Sequence, residues 1–199
     1  VTHRENLLVE LVDPDGTAIG STTVLRAHEA PGTLHRAFSV FLRDPSGRVL
    51  LQQRSAAKTR FPLRWGNTCC GHPAPGQSVA AAAEVRIGEE LGVTASALSS
   101  TLSEVGVHSY FAEDPVTGRV EREYDHVLVA DVPDGMEFRP DPGEVARLLW
   151  VAPEDLPGRI SADPLSYAPW LEGVVSVYSS DFAVHPLPDS SRSERSGGR

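Results

Sequence analysis

The sequence predicts an α/β fold, a mixed β-sheet sandwiched by helices in a single domain, on three observations. Strand-length apolar segments outnumber helical ones and do not alternate regularly with them, which disfavours a doubly wound parallel nucleotide fold. One stretch, Gln77 to Leu91, carries alanines and apolar residues at helical spacing and is followed by Gly92 as a terminator. The 199 residues, 40% hydrophobic and 23% charged, suit one ordinary globular core.

The elements follow in chain order. Leu7 to Val12 reads as a strand, and Asp13-Pro14-Asp15-Gly16 turns it back into a second segment around Thr17 to Leu25. His35 to Leu42 and Arg48 to Gln53, separated by Asp44-Pro45-Ser46-Gly47, form a second, central hairpin. The Gln77 to Leu91 helix follows. Val105 to Phe111, Tyr124 to Val132 and Leu148 to Val151 read as further strands, and Pro153-Glu154-Asp155-Leu156 as a helix opening. Asp163 to Tyr178 is a second long helix with a start blurred by Pro164 and Pro169. The domain extends over 1–185, with its core at about 30–180, and the polar tail 186–199 is expected to be disordered.

Charge and cysteine usage narrow the function. A net charge of −9 argues against nucleic-acid binding, and no run of about 18 apolar residues argues for a membrane span. A cytoplasmic protein is expected, since the first residues lack a signal-peptide pattern. The two cysteines, Cys69 and Cys70, are neighbours and have no zinc-ribbon spacing, so both should be free thiols and any metal must rely on His and carboxylates. Between Pro45 and Ala83 there is no acidic residue, whereas Arg48, Arg54, Lys58, Arg60 and Arg64 all fall there. That basic segment lies just before Cys69-Cys70-Gly71-His72 and favours an anion site.

Alternate residues of a strand share a face, so Cys70 can aim a thiol where His72 aims an imidazole, and Glu121 and Glu123 can aim two carboxylates at one point. The three histidines His28, His35 and His72 with the two glutamates Glu121 and Glu123 form an N/O ligand set suited to Mg²⁺, Mn²⁺ or Zn²⁺. Trp65 and Trp150 are assigned to packing, and His3, His108, His126 and His185 to structural roles.

From Gly71 to Val93 the chain can be set against the Nudix pattern G-x5-E-x7-R-E-U-x-E-E-x-G-U. Gly71, Ile87, Glu89, Glu90, Gly92 and Val93 fit, whereas Gln77, Val85 and Arg86 replace the first Glu, the Arg and the next Glu. Arg86 in place of a metal-binding carboxylate speaks against hydrolysis and suits a diphosphate contact. More of the chain, about residues 5 to 180, resembles the type 1 isopentenyl diphosphate isomerases, a metal-dependent family built on a Nudix-like fold. The residues that carry this include Leu34-His35-Arg36-Ala37-Phe38-Ser39, Trp65-Gly66-Asn67-Thr68, Cys70-Gly71-His72-Pro73, Glu89-Glu90-Leu91-Gly92, Glu121-Arg122-Glu123 and Ala168-Pro169-Trp170.

The resemblance implies that His28, His35, His72, Glu121 and Glu123 bind one divalent metal. It makes Cys70 and Glu123 the proton-handling pair, with Tyr110 beside Glu123, and leaves open which end protonates the alkene first. It implies that Glu90 helps hold a second metal, Mg²⁺, on the diphosphate, that Arg54, Lys58 and Arg86 contact the diphosphate, and that Trp170 faces the hydrocarbon. The substrate would be isopentenyl diphosphate, with no nucleic-acid or membrane partner, in a monomer. A lysine common in the family is Val24 here, so one anion contact is missing or passes to Arg26. Two other readings stay open: a Nudix hydrolase of a nucleoside diphosphate derivative, and a non-catalytic Nudix-like binding module.

Overall fold

The computed structural model describes residues 2–184; the expected tail and the domain's expected last residue lie outside them. After a short helix α1 (Thr2–Glu5), strands β1 (Leu8–Val12) and β2 (Ala18–Thr23) form the first hairpin, its turn held by the Asp13 carboxylate on the amides of Asp15 and Thr17. The second strand stops earlier than the sequence suggests, because Thr23 caps a one-turn helix α2 (Val24–Ala27) through its hydroxyl and Arg26 N at 3.3 Å.

Strands β3 (His35–Arg43) and β4 (Val49–Arg54) are joined by the expected turn, with Asp44 accepting from the amides of Ser46 and Arg48. They do not form the central hairpin that the sequence predicts. They pair only at Arg43 and Val49 and then part. The reason is competition for edges. Next come the short strands β5 (Trp65–Gly66) and β6 (Cys69–Gly71) and helix α3 (Val79–Leu91), followed by β7 (Ser103–Glu113), β8 (Val120–Asp131) and β9 (Val145–Val151). One side of β3 is taken by β6 and the other, in parallel over nine residue pairs, by β8, which in turn pairs with β7. Strand β4 turns instead to β9 and β5.

Helix α3 starts two residues later than expected, at the Ser78 cap, and ends on Gly92 in the left-handed conformation (φ 68°). It sets Ala82, Ala83, Ile87 and Leu91 against Phe38, Val40, Leu42 and Leu128. Burying Ile87 and Leu91 alone contributes about 3–6 kcal/mol. The other face of the sheet is covered by α4 (Leu156–Ala162) and α5 (Leu171–Val184). The long helix expected from Asp163 is thus displaced: Pro164–Ser166 is a single 3-10 turn, and the regular helix waits until after Pro169. Leu171, Val174, Val175 and Tyr178 then fall at helical spacing onto Phe41, Ala112 and Val127. The approach to β7 is close, since a Cβ on Gly173 would lie 2.0 Å from the His108 ring.

Candidate active site

Strand register gathers the chemistry on one face. Tyr110 of β7 is opposite Glu123 of β8, Glu123 is opposite His35 of β3, and Ser39 of β3 is opposite Cys70 of β6. Cross-strand partners project to the same side, and residues 35 and 39 are an even number apart, so all five side chains share the α5 face. Strand β8 begins earlier than the sequence suggests, which brings Glu121 and Glu123 into it. Cys69 points the other way and is fully buried under α3, while Cys70 packs against the α5 cluster; both are free thiols.

His28 at the end of α2, His35, His72 and Glu123 bring one ligand atom each to within 4.8 Å of one another. The ring centroids of the three histidines are 4.7, 4.9 and 5.1 Å apart. His28 Nδ1 is 2.7 Å from the Val24 carbonyl and His35 Nδ1 2.8 Å from the Thr33 carbonyl. A carbonyl only accepts, so both Nδ1 atoms carry protons, and each Nε2 presents a lone pair to the cluster when the ring is neutral. Both Nε2 atoms are buried without a well-directed hydrogen bond, which fits a cation among them.

Burial alone would raise the Glu123 carboxyl, but the three imidazoles facing it, His28 at 3.8 Å, His35 at 3.6 Å and His72 at 2.9 Å, hold it well below the usual range. Burial would lower His28, yet the neighbouring Glu121 carboxylate outweighs it and raises its pKa to about 9. His72 is pushed down to about 4 by burial. Glu121, expected as a ligand, stands beside the cluster: its Oε2 is 2.8 Å from His28 Nε2 and its Oε1 accepts from Arg60 Nε at 3.0 Å.

A cavity of about 280 Å³ opens onto these groups, and Cys70, Tyr110, Glu123 and Trp170 are in its wall. Tyr110 Oη donates to Glu123 Oε2 at 2.6 Å. Burial, reinforced by the Glu123 carboxylate, holds the Tyr110 phenol well above its usual range, so it stays protonated. Cys70 donates to Asn67 Oδ1 at 3.1 Å, and burial with the nearby Asp125 carboxylate raises its pKa to about 12. The indole N–H of Trp170 reaches the same Asn67 oxygen at 3.1 Å. Trp170 also packs edge-on to Phe61, with centroids 5.4 Å apart.

The basic residues Arg54, Lys58 and Arg86 all lie in the cavity wall, each engaged with protein partners. Arg54 donates to the carbonyls of Arg60 and Phe61 and lies 5.3 Å over the Trp170 ring. Glu90, expected to face a metal, is buried and holds Arg86, Lys58 at 3.2 Å and Gln52 at 3.0 Å. Arg26 is exposed and is not in the cavity wall, whereas Val24 is. Asn67 and Glu144 make contacts that the sequence does not announce, and Arg60 is legible there only as one of a basic run. Asn67 stands inside a motif with nothing in its spacing to mark a role, although it bonds Val40 O, Cys69 O, Cys70 and Trp170. Arg60 bridges Glu5 and Glu121, and Glu144 meets Lys58 and Arg86, pairings that no spacing in the sequence announces.

Residues 33–171 match the NUDIX domain family. The chain is 56% identical over 169 residues to the isopentenyl-diphosphate Delta-isomerase of Nocardia farcinica, covering 85% of this chain and 93% of that one. It is 49% identical over 162 residues to the isopentenyl-diphosphate Delta-isomerase of Streptomyces coelicolor, covering 81% and 79%. Among solved structures the DR0079 protein of Deinococcus radiodurans superposes with a TM-score of 0.66 at 22% identity, covering 86% of this chain and 99% of that one, a likeness of fold. Register, metal-competent cluster and relatives agree, and the chain belongs to the type 1 isopentenyl-diphosphate Delta-isomerase family within the Nudix superfamily.

Proposed function

We propose that this protein moves the double bond of isopentenyl diphosphate to give dimethylallyl diphosphate, a step in isoprenoid precursor synthesis. The observation that carries the reading is the convergence of two proton carriers, the Cys70 thiol and the Glu123–Tyr110 pair, on one cavity walled by Trp170. The reaction adds a proton to the terminal carbon, which generates a tertiary carbocation, and removes one from the carbon two positions away. No atom is gained or lost overall. Cys70 and Glu123 serve as the two proton-transfer groups, and Tyr110, a donor to Glu123, holds that carboxylate in place and can relay its proton.

Water must be kept from the cation, because it would trap it as an alcohol. Trp170, only 3% exposed and backed by Phe61, is the aromatic wall for that purpose. A desolvated π face also contributes about 2 kcal/mol to a cation beside it. Asn67 orients both the thiol and the indole through its one carbonyl oxygen.

His28, His35, His72 and Glu123 would hold one divalent cation, Mn²⁺, Mg²⁺ or Zn²⁺, with Glu121 beside them. When bound, that cation adds positive charge at Glu123 and so tunes its basicity. Lys58 and Arg86 would turn from carboxylates to the diphosphate, and Glu90, relieved of them, would face the Mg²⁺ that accompanies it. Arg54, by contrast, braces the Arg60–Phe61 backbone and Trp170, and acts on the substrate from there. A monomer working in the cytoplasm completes the proposal. Hydrolysis is the weaker reading, because Arg86 neutralises Glu90 at the position where a water-activating carboxylate cluster would be needed.

The test is proton NMR of the protein with isopentenyl diphosphate and Mg²⁺ in D₂O, together with a phosphate-release assay. Dimethylallyl methyl signals and deuterium uptake, both abolished by a chelator, are expected. Released phosphate with no new methyl signal would overturn the isomerase reading in favour of the hydrolase.

A further inference from the structure

We infer that Arg4, from the short helix α1, is a third arm of the diphosphate site beside Lys58 and Arg86; the inference rests on the isomerase reading above. Arg4 is in the cavity wall, on the side otherwise built by Glu5, Leu7, Leu8 and Val24, none of whose side chains offers a donor to an anion; the Glu5 carboxylate is paired with Arg60 at 3.0 Å. Its guanidinium meets Glu89 Oε2 through Nη2, and its Nε is 3.4 Å from Glu144 Oε1. The same Glu89 oxygen accepts from Arg86 Nη1 at 2.7 Å. Glu144 is also shared, since its Oε2 contacts Lys58 and is 3.4 Å from Arg86 Nη2.

Cations that share acceptors converge on the same space. Lys58 and Arg86 come from the wall formed by the β4–β5 loop and α3, and Arg4 reaches the same carboxylates from the N-terminal side. An anion between them is therefore gripped from two sides. The pair with Glu89 that Arg4 would give up is weak, because the two side chains are 35% and 46% exposed and solvent screens them, and the contact with Glu144, 17% exposed, is a long one at 3.4 Å. A diphosphate carries more charge than either carboxylate and presents paired oxygens to which a guanidinium binds in a fork. Charge balance points the same way. Arg4, Lys58, Arg86, Glu89, Glu90 and Glu144 sum to zero formal charge, and without Arg4 the group is net negative and repels the ligand.

Arg4 thus takes the place that the sequence suggested for Arg26. The test compares Arg4→Gln, Arg4→Lys and Arg26→Gln with the parent protein in steady-state isomerisation and in calorimetric binding of inorganic pyrophosphate with Mg²⁺. Arg4→Gln is expected to raise KM for isopentenyl diphosphate and Kd for pyrophosphate about tenfold, a loss of about 1.4 kcal/mol, with kcat within about threefold of the parent. Arg4→Lys should recover part of the loss, Arg26→Gln should match the parent, and melting temperatures should agree within about 2 °C, since Arg4→Gln removes one screened pair and one long contact. An Arg4→Gln protein with parental KM and pyrophosphate affinity, or one that loses kcat alone, would overturn the inference while leaving the isomerase reading intact. A parent protein that neither isomerises nor binds pyrophosphate would overturn both.

Discussion

Replacing Gly71 by alanine puts a single methyl group between the two residues whose side chains enter the site. Its Cβ would lie 2.7 Å from Phe38 Cζ, 3.2 Å from Phe38 Cε1 and 3.1 Å from Arg86 Cγ. Ordinary contact begins near 3.4 Å, and Phe38 is fully buried between β3 and α3, so the ring has nowhere to turn. Strand β6 must move instead. Overpacking of this kind costs about 1–3 kcal/mol, offset in part by about 0.4–1 kcal/mol from the lower entropy of the unfolded alanine chain. A net loss of about 1–2 kcal/mol is expected, read as a lower urea midpoint at unchanged slope. The displaced strand carries Cys70 and leads into His72, so isomerisation should fall about 10- to 100-fold beyond any loss of folded protein. Gly158→Ala in α4 is the control: no atom lies within 4 Å of its Cβ, so it should stabilise the helix by about 0.5–1 kcal/mol and leave the activity alone. A Gly71→Ala protein within 0.5 kcal/mol of the parent, with parental turnover, would refute the account of how β6 aims the thiol and the imidazole.

Three further outcomes can be checked. Cys70→Ala should abolish isomerisation while Cys69→Ala retains it, and at pH 8 iodoacetamide should modify Cys70 slowly, because a thiol raised to about 12 is almost wholly protonated there; rapid labelling with an apparent pKa below 9 would contradict this. In the metal-free protein His28, raised to about 9, is charged at neutral pH, so a divalent cation must expel its proton: titration calorimetry at pH 7 in buffers of different ionisation enthalpy should report release of about one proton, with affinity rising towards pH 9, and no buffer dependence would exclude it. The stability that His28 contributes is complete below about pH 6.5 and is lost as pH rises through 9, whereas that of His72, lowered to about 4, is lost as pH falls from about 6.5 through 4. Asn67→Leu should cost at least about 2 kcal/mol in urea unfolding, since it removes the acceptor of the Cys70 thiol and the Trp170 N–H and the amide donor to the Cys69 carbonyl, while the Val40 carbonyl keeps the Thr68 N–H at 2.9 Å; a loss below about 1 kcal/mol would mean that these groups find other partners.

What the sequence disclosed and what it withheld divide along a physical line. The direction of Cys70 against Cys69 was legible because strand alternation is a local rule, and so was the end of α3 at Gly92, where a left-handed residue has to follow the helix. The parallel pairing of β3 with β8 was not, because it joins residues about 90 positions apart and leaves no periodic mark. That pairing nevertheless decides the site: it sets His35 opposite Glu123 and parts β3 from β4, the hairpin that local turn chemistry predicts. The charged groups follow the same division. Lys58, Arg86 and Glu90 were each marked by motif position, but which cation meets which carboxylate depends on Glu144, carried by the segment leading into β9, and on Arg4, carried by α1. Asn67 stands in the motif and is still illegible there, because its role lies in one oxygen that accepts hydrogen bonds from a thiol three residues away and an indole 103 residues away. A residue that holds two reactive groups at once has no spacing of its own; it becomes visible only when the two groups it joins are already in place.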